Sequence, residues 1–130
     1  MNEKLSDISH AELITKANEL ARKWWGVDYT GTIELIKRNW RSRHACFIGN
    51  YNDPTVQIIR MSKPTNDRFT TEEVYRNLLH ELVHWRLYTQ GIPCSDDDRE
   101  FVEECIRVGA PFSETQKAQV AVKKYGKEAV

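Results

Sequence analysis

Two histidines flank a glutamate in the run His80-Glu81-Leu82-Val83-His84. On an α-helix, residues four apart lie one above the other on the same face. His80 and His84 can then offer two imidazole nitrogens to one ion, and zinc (Zn2+) accepts imidazole and carboxylate ligands. Glu81 falls roughly 100° around the helix from His80, at about 3.6 residues per turn. That keeps it out of the ligand set but within reach of a metal-bound water. There it can act as general base and hand the proton on to a leaving amine, the chemistry of zinc-assisted hydrolysis of a peptide bond. The plain alternative is a pair of surface histidines beside a helical glutamate.

A catalytic zinc takes three protein ligands and keeps one position for water. The other histidines, His10 and His44, lie upstream and in no ligand pattern. The third ligand is therefore expected among the carboxylates that follow. Asp96, Asp97 and Asp98 stand where the chain turns back, and Glu103 and Glu104 stand on the segment that returns. Either group can face the histidines if two helices pack antiparallel. The competing roles are a helix N-cap for one of the aspartates and an exposed helix face for the glutamates.

The elements that must position these groups follow from periodicity and caps. Ser9 with Glu12 forms a capping-box pattern, and Leu13, Ala17, Leu20, Ala21 and Trp24 recur at helical spacing, predicting a helix over about 9–25 that ends at Gly26. Residues 32–36, 45–49 and 56–61 are short apolar, β-rich runs, and Asn50-Tyr51-Asn52-Asp53-Pro54 supplies a turn between the last two. Three mostly antiparallel strands are expected. Residues 63–67 read as a loop. Thr70 or Thr71 then caps a long helix to about Gln90, with Val74, Leu78, Leu79, Leu82, Val83 and Trp85 on one broad side and Gly91 as its stop. A second helix opens at Ser95 to Asp98 and buries Phe101, Val102, Cys105 and Val108. Ser113 with Gln116 caps a last one, over about 113–126.

The chain has 130 residues, 40% hydrophobic and 29% charged, which suits a single α+β domain with one modest core. Nineteen basic residues balance nineteen acidic ones, so no overall charge draws it to nucleic acid or to anionic membrane. Met1 to His10 does not read as a secretory signal, and no apolar run approaches the roughly 20 residues of a membrane span. Cys46, Cys94 and Cys105 form no C-x-x-C pair and read as reduced thiols. A cytoplasmic monomer is the expectation.

The stretch Asn77 to His84 with Gly91 after it, then Asp98-Arg99-Glu100-Phe101, then Val108-Gly109-Ala110-Pro111, resembles the SprT-like family of metalloproteins. The likeness covers about residues 10–112. It implies a zincin-like minimal domain with an N-terminal helix, a small sheet, a metal-bearing helix and a helix returning beside it. It also implies His80 and His84 as zinc ligands, Glu81 as the catalytic base and a protein substrate. The family's third ligand, a histidine, would fall at Asp96 or Asp97. Some members carry DNA-binding elements or a cysteine zinc ribbon, and neither has a counterpart among these 130 residues.

One local feature could contact nucleic acid in their place. Lys37, Arg38, Arg41, Arg43 and His44 cluster around Trp40. Basic side chains beside an aromatic can hold phosphate and stack a base, with Arg41 and Arg43 the candidates. The plain reading is a solvated hairpin. The alternative to a peptidase is thus a non-catalytic module that binds nucleic acid or a protein partner.

Overall fold

The computed structural model describes residues 4–129, with side chains through Gly126. The chain runs α1 (His10–Trp25), β1 (Thr32–Ile36), β2 (Ala45–Gly49), β3 (Gln57–Ser62), α2 (Lys63–Asn66), α3 (Thr71–Thr89), α4 (Arg99–Val108) and α5 (Gln116–Ala129). It is a mixed α/β fold with five helices and one three-stranded sheet among the described residues.

The capping boxes form as expected. The Ser9 hydroxyl accepts the Glu12 N–H at 3.1 Å, and the Glu12 carboxylate accepts the Ser9 N–H at 3.1 Å. Thr70, not Thr71, caps α3 in the same reciprocal way with Glu73. Two other helix starts differ from expectation. Residues 63–66 make one helical turn instead of a loop, because Ser62 accepts the Thr65 N–H at 3.2 Å and Pro64 suits a first turn. At α5 it is Thr115, not Ser113, whose hydroxyl accepts a helix N–H, that of Ala118 at 3.3 Å.

The sheet order is β1-β3-β2. β2 pairs antiparallel with β3 through the turn at residues 50–56, but β1 pairs parallel with β3. The mostly antiparallel expectation is corrected on that point. Residues 37–44 do not turn β1 back on itself. They carry the chain past β3, so that β2 arrives on the far side and becomes an edge strand. The Glu34–Arg60 ion pair, 2.6 Å, ties the parallel register Glu34↔Arg60.

Helix α3 carries the architecture. Val74, Leu78, Leu82 and Trp85 bury into a core shared with Leu13, Ala17 and Ala21 of α1 and with Ile33, Ile59 and Met61 of the sheet. Leu79, Val83 and Leu87 face a second core with Phe101, Cys105 and Val108 of α4. The single broad apolar side read from the sequence is therefore two faces against two different layers. His80 and His84 lie on the remaining face.

The β2–β3 hairpin is pinned to α3 by Tyr88. Its hydroxyl accepts the Asn50 N–H at 3.0 Å and donates to the Asn50 carbonyl at 3.0 Å. Gly49 allows that approach, since a Cβ there would lie 2.6 Å from the Tyr88 ring. No described helix is long and apolar enough to cross a membrane, and all three cysteines are free thiols.

Candidate metal centre

Both imidazoles are turned by backbone carbonyls. His80 Nδ1 lies 2.6 Å from the Pro111 carbonyl, and His84 Nδ1 lies 2.5 Å from the Cys94 carbonyl. A carbonyl can only accept, so each Nδ1 carries a proton; Nε2 is the lone-pair atom of the neutral ring, and without a metal it takes a second proton to donate to Asp96. Phe101 from α4 fixes the ring planes. It stacks on His84 at 4.1 Å and 19°, and meets His80 edge-on at 5.1 Å.

The two Nε2 atoms are 3.3 Å apart, and Asp96 Oδ1 lies 3.0 Å from one and 3.1 Å from the other. Three electron-pair donors thus converge on one point. With Nδ1 committed to the carbonyls, the triangle repels itself unless a cation sits against it, either protons or a metal. Its edges match neighbouring corners of a zinc tetrahedron, about 3.3 Å for ligands about 2.0–2.1 Å from the ion. Two imidazoles and a carboxylate also form a donor set that zinc favours. The residues present therefore fit zinc.

The electrostatics agree with this arrangement. Burial opposes charge on His80 more than any other single influence. Asp96, Cys105, Glu81 and the Pro111 carbonyl together outweigh it and push the imidazole up to about 11. His84, buried likewise, is pushed up to about 9, chiefly by Asp96 and Cys94. Burial raises Asp96, but its hydrogen bonds to both histidines hold it well below the usual carboxylate range. Glu81 is pushed up by burial, with the two histidines pulling the other way. Its Oε2 lies 4.0 Å from His80 Nε2 and its side chain is 8% exposed. One potential donor atom from each of His80, Glu81 and His84 lies within 4.8 Å of the others.

Of the five downstream carboxylates, the structure brings Asp96 alone to the histidines. Asp97 turns away to Lys117 at 3.3 Å. Asp98 occupies the N-cap position of α4, but its carboxylate takes the Ser95 N–H at 2.9 Å instead of a helix N–H. Glu103 pairs with Arg99 at 2.8 Å. Glu104 accepts from Trp25 Nε1 at 2.7 Å and from Arg107 at 2.6 Å, locking α4 to α1. The carbonyls of Cys94 and Pro111 were not among the groups read from the sequence. Gly109-Ala110-Pro111 marked the place of the second, but a backbone acceptor leaves no residue-type signal.

The triad opens into a cleft of about 820 Å³ beside the start of β2 and a hollow of about 350 Å³ beside its end. Phe47, His84, Asp96 and Thr115 line both, so His84 and Asp96 sit midway along a trough that follows the edge strand. Arg41 and Arg43 line the larger arm. Trp40 is half-buried with the Arg43 guanidinium over its ring at 5.9 Å.

No protein-family model, no curated protein and no solved structure matches the chain.

Proposed function

We propose that the protein is a zinc-dependent peptidase in which His80, His84 and Asp96 hold the ion and Glu81 is the general base. The observation that carries this reading is the convergence of three potential ligand atoms within 3.3 Å, with both imidazoles oriented by backbone carbonyls. Carbonyl-oriented histidines are the usual outer-shell arrangement of a metal site. The likeness of residues 77–84, 98–101 and 108–111 to SprT-like metalloproteins, and with it a zincin-like fold, points the same way.

Zinc, when bound, supplies a Lewis acid and brings the pKa of a bound water to about 7. A purely structural site would have no use for Glu81. Its carboxyl is buried next to the ligands, and burial raises its affinity for a proton, as suits a group that takes one. Oε2 accepts the proton and releases it to the leaving amine. The edge strand β2 offers backbone groups along which an extended peptide can lie, the strand-addition mode of peptide binding.

The test compares wild type with Glu81→Gln, each with zinc quantified, on casein and by self-cleavage. Stoichiometric zinc in both, with cleavage lowered about 10²–10⁴-fold in the variant, is expected. Zinc in both proteins with no Glu81-dependent cleavage would favour the non-catalytic module instead.

A further inference from the structure

Arg41 and Arg43 stand at the β2-start arm of the cleft, beside the metal triad, and both are exposed. Among the described residues neither has a carboxylate within 4.0 Å. Arg22, Arg60, Arg99 and Arg107 each hold an acid; of the arginines without one, Arg41 and Arg43 are those that line this cleft. Glu114 lines the same cleft without reaching either free guanidinium.

Arg43 is also held in place. Its guanidinium lies over the Trp40 ring, 5.9 Å from the centroid. Trp40 in turn is anchored, its N–H donating to Thr65 Oγ1 at 2.9 Å and its carbonyl accepting from Arg68 at 2.8 Å. A guanidinium fixed on an anchored aromatic loses little freedom on binding, and its fork matches a carboxylate bidentately.

We propose that Arg41 and Arg43 form a carboxylate-binding subsite that selects peptides with an acid group near the bond to be cut. This rests on the peptidase reading above and adds its substrate class. The carboxylate can come from an acidic side chain or from a free chain end. Nucleic acid fits less well. Its bases need an open aromatic face, and that of Trp40 is taken by Arg43.

The test measures binding, so that it does not depend on turnover. The zinc-loaded full chain carrying Glu81→Gln is titrated with fluorescein-labelled alanine-rich decapeptides by polarisation. One series has both ends blocked and a single Glu at successive positions. A second has a free C-terminus and no Glu, and a third is blocked and neutral. Single-stranded dT12 is the fourth probe. At least one acid-bearing series should bind about tenfold tighter than the neutral one, as for a charge-assisted bidentate pair. Which series does so identifies the source. The preference should fall to about onefold in Arg41→Gln/Arg43→Gln, and Arg43→Glu should prefer Lys-bearing peptides, a gain that only a folded protein can show. Equal binding of acidic and neutral peptides, no binding of any, a preference that survives loss of both arginines, or arginine-dependent dT12 binding tighter than any peptide would each overturn the subsite. Acid-selective binding with no cleavage by wild type would instead count against the peptidase reading alone.

Discussion

His84 Nδ1 donates to the carbonyl of Cys94, two residues ahead of Asp96, whose carboxylate lies 3.1 Å from Nε2 of the same ring. One short segment after α3 therefore orients an imidazole from one side and places a carboxylate against its other side. The same logic joins His80 to Pro111, where the strap after α4 provides the acceptor. Carboxylate and orienting carbonyls come from the two connections that flank α4.

Asp96 and Asp97 should separate cleanly. Asp96→Ala removes a ligand atom and should weaken zinc binding by more than the roughly 10–100-fold typical of an outer-shell change. Asp97→Ala loses only a partly exposed ion pair to Lys117. It should leave zinc affinity within about twofold and stability within about 1 kcal/mol. Competition titration against a chromophoric chelator measures both.

In the metal-free protein the two histidines have opposite pH consequences to those of Asp96. His80 and His84 are raised to about 11 and about 9, above their unfolded value near 6.5. Their contribution to stability is fully present below that unfolded value and is lost as pH rises through about 9 and then about 11. Asp96 is depressed, so its contribution is present above the ordinary carboxylate range and disappears only in strong acid. Zinc must displace the imidazole protons. Thermal melts with EDTA should therefore fall from pH 7 to 9.5 while melts with zinc hold, and the gap between them should widen with pH.

Phe101 is fully buried and stacks on His84. Phe101→Leu keeps most of the volume but removes the flat face. A stability loss of about 1–2 kcal/mol is expected, with a larger fractional loss in zinc affinity than in stability. Equal proportional losses would mean that the ring only packs. Chemical denaturation and the chelator titration together decide.

At Gly49 an added methyl meets the Tyr88 ring at 2.6 Å. Gly49→Ala should cost about 1–3 kcal/mol and lower the melting temperature by several degrees, because either the ring or the hairpin must shift. Pairing it with Tyr88→Ala should recover part of the loss if the clash is the cause. Purely additive losses would contradict it.

Much of this arrangement is legible in the chain because it is local. The caps of α1 and α3, the run of α3 and the stacking of His80 over His84 all follow from spacing within a turn or two. The choice of Asp96 over Asp97 does not. It depends on how residues 91–98 turn back, and three consecutive aspartates carry no period to decide it. Likewise the parallel partnering of β1 with β3 is a matter of which side of β3 the segment 37–44 delivers β2, a non-local choice. The division of α3 between two cores was hidden because Leu79 and Val83 look the same in sequence whether they face a sheet or a helix.

The central claim is that one zinc is held by His80, His84 and Asp96. Diffraction from crystals grown with stoichiometric zinc, collected either side of the zinc absorption edge, tests it directly. The expected result is one anomalous peak about 2.0–2.2 Å from His80 Nε2, His84 Nε2 and an Asp96 oxygen. A peak elsewhere, or one whose protein ligands include Asp97, Glu103 or Glu104 in place of Asp96, would contradict it.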